Sequence, residues 1–184
     1  MLALATFLSA KVFLDHPALA EERRTAAKRA QPWDRVLVTA LNIVLPLMAV
    51  LAGLDRRFAW SWAVPSWVSW IAFHTAVAGS VLTYQALRSN AYFSSHVRVQ
   101  TDRQQVVVSH GPYAFVRHPG YAGALLLNLD SPLLLGSLVS ACAAWLALPI
   151  LVVRICLEER VLLAGLEGYA GYRQRVRWRL APGI

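Results

Sequence analysis

Apolar residues gather into long blocks divided by short charged gaps, without the alternation of half-buried strands. The first block, residues 2–14, is interrupted by Lys11. At about 1.5 Å per residue it reaches only ~20 Å, short of a ~30 Å hydrocarbon core. It predicts a short or partly inserted span. A signal peptide is the rival, since Ala18-Leu19-Ala20 resembles a cleavage site, but no basic residue precedes the block. Residues 15–35 are polar and predict a surface helix or loop. Residues 36–54 predict a full span, kinked at Pro46 and ended by Asp55-Arg56-Arg57. Trp60, Trp62 and Trp67 follow, as in an aromatic belt at a membrane interface. Residues 65–87 predict the next span. Its lone His74 reads as a packed, hydrogen-bonded core residue rather than a catalyst. A long polar connection, 88–119, carries Val106-Val107-Val108 as a possible extended piece. Residues 120–129, a turn around Asp130-Ser131-Pro132, and a span over 138–157 kinked near Pro149 form a hairpin. From Glu158 the tail predicts an amphipathic helix ending in Arg173, Arg175, Arg177 and Arg179.

Composition strengthens the membrane reading. Of 184 residues, 57% are hydrophobic and 15% charged, against about a quarter charged in ordinary soluble domains. The net charge of +8 suggests nucleic acid at first sight. The basic residues form no single patch, however; they occupy the gaps between apolar blocks, which argues against a nucleic-acid partner. Residues 15–35, 88–119 and the tail hold five, four and six of them, counting Arg154, whereas the opposite side holds Arg56 and Arg57. The positive-inside rule then places the loop and tail in the cytoplasm. Cys142 and Cys156 lack metal-ligand spacing and read as small buried hydrophobes, so no metal is expected.

Two constellations carry candidate chemistry. The first is Gly111-Pro112-Tyr113-Ala114-Phe115-Val116-Arg117-His118-Pro119-Gly120-Tyr121, where a polar loop enters a membrane helix. Its bland reading is a helix start at Pro119, an Arg117 anchor and belt tyrosines. The second is Arg154-Ile155-Cys156-Leu157-Glu158-Glu159-Arg160, in which Arg154 and Glu158 share a helix face. Its bland reading is an ion pair at a helix end. Yet Arg154 lies inside an apolar block, where an ionisable group usually pairs or lines a cavity.

In this order, separated by a hairpin, the two constellations resemble the isoprenylcysteine carboxyl methyltransferase family, within a wider group that includes membrane phospholipid methyltransferases. The resemblance runs from about Arg88 to the end, and the Gly168-Tyr169-Ala170-Gly171-Tyr172 tail is similar to prokaryotic members. It implies an all-α integral membrane protein of about five transmembrane helices, the first one short. A cytoplasmic loop and the C-terminal amphipathic helix would form the cofactor pocket. Residues 1–184 would make one membrane domain, with N-terminal spans and loops in 1–87 and the methyltransferase core in 88–184. The implied localisation is a prokaryotic inner membrane with the site facing the cytoplasm. The implied cofactor is S-adenosyl-L-methionine. Its binding residues would be Gln100, Gln105, Val106, Val107, Val108, Tyr113, His118, Pro119, Gly120, Tyr121 and Glu158, with Arg154 taking the substrate. The loop is about two residues shorter than in eukaryotic members, and Asp130 stands where a small neutral residue is expected. The implied partner is a lipophilic or prenylated substrate entering from the bilayer among membrane lipids.

The chemistry of the cofactor agrees with those residues. A sulfonium, an ammonium and a carboxylate need both signs of charge. Glu158 suits the ammonium or ribose hydroxyls, while His118 and helix-start N–H groups suit the carboxylate. Arg154 offers a permanently charged fork for a substrate carboxylate. A carboxylate nucleophile is already ionised near neutral pH and needs no general base. An amine or thiol acceptor would make His118 or Glu159 the proton acceptor. A phospholipid amine or a thiol is therefore the second substrate class, and a non-enzymatic small membrane protein is the reading outside enzymology.

Overall fold

The structure, a computed structural model, describes Leu14 and residues 17–183; the first apolar block up to Phe13, with Lys11, lies outside the described residues. The polar segment after it is a helix, α1 (Pro17–Arg29), which includes the cleavage-like Ala18-Leu19-Ala20. Leu19, Glu22 and Ala26 make its buried stripe. Leu19 packs on Leu87 with Tyr84 and Phe93 beside it.

Helix α2 (Pro32–Phe58) starts earlier than the apolar block suggests, because Pro32 is pre-set for a first helical position. It continues through Pro46 and past Asp55. Asp55 does not end the helix because its buried carboxylate has partners: Ser137 Oγ donates to it at 2.5 Å, and Ser61 donates from Oγ at 2.6 Å and from N–H at 2.8 Å. Val36, Ile43, Leu45 and Val50 remain exposed along its outer side. That suits a helix in lipid and would be costly in water.

Helix α3 (Ser66–Ser89) and helix α4 (Pro119–Leu134) form the most extensive helix–helix contact. Their backbones touch at two glycines. A Cβ on Gly79 would lie 2.8 Å from the Gly123 carbonyl oxygen, and one on Gly123 would collide with Thr83. Small residues permitting close approach are a common membrane-helix device. His74 is hydrogen-bonded but not in a core. It is exposed on α3, with Nδ1 2.7 Å from the Trp70 carbonyl one turn back.

The turn expected around Asp130-Ser131-Pro132 lies inside α4, and the chain turns instead at Gly136 (φ 73°). Ser131 donates to the Leu127 carbonyl at 2.5 Å, so the helix continues to Leu134. The span over 138–157 is two helices, α5 (Leu138–Ala144) and α6 (Ala147–Gly165). The break at Trp145-Leu146 precedes Pro149 because proline cannot donate to the carbonyl four residues back and crowds it. Val44 and Met48 of α2 pack against Ala143, Ala144 and Ala147.

Helix α6 also outruns the span, to Gly165; the tail then turns at Gly168 into a short α7 (Tyr169–Arg175). The single helix expected from Glu158 is thus two pieces. Residues 90–118 hold two 3-10 turns, Thr101–Arg103 and Gly111–Ala114, and Val106-Val107-Val108 forms no strand. Among the described residues, two helical stretches are long and apolar enough to cross a bilayer by themselves, Pro32–Phe58 and the broken Leu138–Gly165.

Candidate active site

One end of the bundle carries a cavity that is open to solvent on one side. Its walls come from the 90–108 segment, the Gly111–Ala114 turn, the start of α4, the end of α6, and α7. Gln100, Gln105, Val106, Val107, Val108, Tyr113, His118, Gly120, Tyr121 and Glu158 all line it. The fold thus brings together two motifs lying some forty residues apart in sequence. Pro119 is fully buried and begins α4 without lining the cavity. Its part is to start the helix whose first-turn N–H groups, at Gly120 and Tyr121, have no helical acceptor.

Several of these residues also shape the loop. Gln100, 1% exposed, donates to the Tyr92 carbonyl at 2.7 Å and accepts from Arg103 at 2.7 Å. Its backbone N–H donates to Gln105 Oε1 at 2.7 Å. Tyr113 accepts from Asn90 at 3.2 Å, and Tyr172 donates to the Tyr113 carbonyl at 2.8 Å. Gly120 lies under Phe93, where a Cβ would come within 2.6 Å of the ring.

Arg154 stands just beyond the cavity walls. Its guanidinium carbon is 5.2 Å from the centroid of the Tyr121 ring, and Tyr121 donates its hydroxyl to Glu158 at 2.6 Å. Tyr121 therefore connects the residue expected to hold substrate with the one expected to hold cofactor. Arg154 Nε donates to Asp34 at 2.8 Å, and its Nη2 donates to the Ser95 carbonyl at 2.7 Å.

Arg117 and Glu159 turn out differently from a membrane anchor and a free proton acceptor. Glu159 is buried and accepts from Arg117 Nε at 2.6 Å and Arg179 Nε at 3.1 Å, with His118 Nε2 at 3.4 Å. Arg117 also donates to the Val176 and Arg177 carbonyls at 2.7 and 2.6 Å. Backbone bonds from Arg117 to the Trp178 carbonyl and from His118 to the Arg179 carbonyl, both 2.9 Å, bind the tail in parallel to the motif. With Arg117, Arg179 and His118 around it, Glu159 secures the cavity floor.

Sequence reasoning missed Asp34, Glu22 and the lining role of Tyr169 and Tyr172. An acidic residue in a polar gap gives no sign of its distant partner. The tyrosines were visible only as a tail pattern. Leu166, Tyr169, Tyr172 and Val176 form a small core with Val107 and Leu162. The Tyr169 hydroxyl is buried and lacks a hydrogen-bond partner among the described residues, on a side chain that lines the cavity. Burial raises the Tyr169 phenol well above its ordinary range and pushes Tyr172 up to about 12, so both remain protonated at neutral pH.

An integral membrane protein of helices, with a cavity of mixed polar and apolar lining at one end of its spans, is the class that this fold and site define. The sequence model of the isoprenylcysteine carboxyl methyltransferase (ICMT) family matches residues 70–164, and the chain belongs to that family. It is 33% identical over 112 residues to a protein-S-isoprenylcysteine O-methyltransferase of Schizosaccharomyces pombe, covering 56% of this chain and 48% of that one. It is 31% identical over 116 residues to the protein of the same name from Tribolium castaneum, covering 60% and 40%. The solved structure of a eukaryotic intramembrane Ras methyltransferase, ICMT, superposes with a TM-score of 0.60 at 25% identity, over 75% of this chain and 50% of the other. The chain thus spans about half the length of these relatives.

Proposed function

We propose that the protein is an integral membrane methyltransferase that uses S-adenosyl-L-methionine to methylate the carboxylate of an isoprenylcysteine-like lipophilic substrate. The observation that carries this reading is the cavity itself, where the His118–Tyr121 segment and Glu158 meet. The residues suit the cofactor in both charge signs. Glu158 supplies the anion for an ammonium or for hydroxyls. His118 and the first-turn N–H groups of α4 supply donors for a carboxylate. The unpartnered hydroxyl of Tyr169 supplies one more donor where a polar ligand is needed to satisfy it. When bound, the cofactor supplies a methyl group on a sulfonium, open to in-line attack.

The chain's own part is alignment and exclusion of water. Arg154 would hold a substrate carboxylate, a role its position beside Tyr121, which in turn bonds Glu158, supports. A carboxylate acceptor needs no base, which agrees with a site whose Glu159 is committed to two arginines. For a phospholipid amine or a thiol the remaining proton acceptor would be His118. The prokaryotic plasma membrane, with the cavity facing the cytoplasm, is the setting we propose; the charge distribution of the loops supports it. The division into N-terminal spans over 1–87 and a core over 88–184 belongs to the same proposal, with the amendment that α1 and α2 also contact the loop.

Titration calorimetry with S-adenosyl-L-methionine on detergent-purified protein tests this reading. Saturable binding is expected, weakened roughly tenfold or more by Glu158→Ala, as for loss of a charge-assisted hydrogen bond. Tyr169→Phe should weaken it about fivefold, close to one neutral hydrogen bond, with the protein still folded. A folded sample that binds no cofactor would leave a non-enzymatic membrane protein.

A further inference from the structure

Asp34 lies in the first turn of α2, 120 residues from Arg154 and outside the matched family segment. It is 0% exposed, so it cannot itself touch a substrate. Each carboxylate oxygen is used. Oδ1 accepts from Arg154 Nε at 2.8 Å; Oδ2 accepts from the Val97 N–H at 2.9 Å and sits 2.9 Å from His96 Nδ1. The Ser95 carbonyl, one residue from His96, takes Arg154 Nη2 at 2.7 Å. Arg154 is therefore gripped along one edge, by Asp34 and by the loop that Asp34 orients. Nη1 has no protein acceptor among the described residues, and the guanidinium lies 5.2 Å from the Tyr121 ring centroid.

A simple role exists for such a carboxylate: to neutralise a buried arginine and favour a helix N-terminus. The geometry does more than that role requires. Neutralisation needs only proximity. Here two loop donors fix the carboxylate, and its bond to Nε together with the Ser95 bond fixes the rotation of the guanidinium plane. His96 and Val97 themselves line the cofactor cavity. One buried carboxylate thus ties the loop over the cavity to the arginine beside it.

We infer that Asp34 is a positioning residue, which holds Arg154 by its Nε edge so that Nη1 is presented to the carboxylate of the methyl acceptor. This rests on the methyltransferase reading above and adds to it a residue from the N-terminal span. It makes the site a product of both halves of the chain.

The test uses full-length wild-type protein, Asp34→Asn and Asp34→Glu, in detergent. Cofactor binding is read by calorimetry, and steady-state methylation is read with N-acetyl-S-farnesylcysteine. For Asp34→Asn the cofactor Kd should stay within about threefold of wild type, while KM for the acceptor rises tenfold or more and kcat falls less. Asp34→Glu keeps the charge and should recover part of the lost KM. It also serves if the amide variant does not fold. An unchanged acceptor KM in a folded variant overturns the positioning role and leaves the methyltransferase reading intact. Parallel loss of cofactor binding and turnover in both variants also overturns it, since the pair would then be architectural. Wild-type protein that binds cofactor but does not turn over this acceptor removes the carboxylate-methylation reading, and the positioning role with it.

Discussion

Tyr121 shows how one side chain can have two consequences. Its hydroxyl donates to Glu158 at 2.6 Å, and its ring lies 5.2 Å from the guanidinium carbon of Arg154. Tyr121→Phe keeps the ring and removes only the bond to Glu158. The expected result is cofactor affinity weakened about tenfold or more, as for one hydrogen bond to a charged group, with acceptor KM nearly unchanged. Calorimetry and steady-state kinetics separate the two; a change in acceptor KM alone would assign Tyr121 to the substrate side. At this scale most of the residues that the sequence singled out are found around the cavity, because the motif residues are local and specific. It did not reveal Asp34, whose partner is 120 positions away, nor that Glu159 is committed to Arg117 and Arg179.

At the scale of elements, the decisive contact is α3 against α4, since it sets where the His118–Tyr121 segment stands. Two glycines let those helices approach. Gly123→Ala should lower stability in detergent by about 1–3 kcal/mol, as overpacking does, because its Cβ would collide with Thr83 and the Gly79 carbonyl. Gly53→Ala is the control, since a Cβ there meets nothing within 4 Å. Thermal unfolding of the two variants compares them directly; equal midpoints would show that the α3–α4 contact yields easily. Element existence was legible from the apolar blocks, whereas element ends were not. Pro132 read as a turn but is carried inside α4, and the break near Pro149 falls before the proline. Both outcomes depend on which carbonyl loses its donor and what else bonds nearby, which a hydropathy pattern does not record.

At the scale of the molecule, α1 closes the assembly by clasping the cavity loop. Glu22 accepts from Arg98 Nε at 2.9 Å and Nη2 at 2.5 Å and from Ser94 at 3.2 Å, while Asp102 accepts from Arg98 and Arg29 at 2.7 Å. The hydrogen bonds from Arg98 hold the Glu22 carboxyl below its ordinary range. A carboxyl so lowered adds stability above its unfolded value, near ~4.3, and loses it as pH falls through the folded value. Hydrogen exchange at residues 94–98, taken relative to the intrinsic amide rate at each pH, should therefore be slow at neutral pH and speed up in that acid window. Glu22→Gln should make it faster at neutral pH and flatten the pH dependence. Exchange that ignores both changes would show that apolar packing of Leu19 alone holds α1 in place.

The sequence by itself determined that this is a helical membrane protein, roughly where its spans run, and which two motifs meet at its cavity. Those properties depend on block hydropathy and on residues close together in the chain, so they survive being read in one dimension. Tertiary structure alone decided that the tail pairs with residues 116–118, that Tyr169 brings an unpartnered hydroxyl to the cavity wall, and that α2 lends Asp34 to Arg154. Each depends on segments far apart in the chain meeting, and the Asp34–Arg154 pair buries its charges only when the partner arrives. The burial that makes such a pair necessary does not exist until the helices have packed.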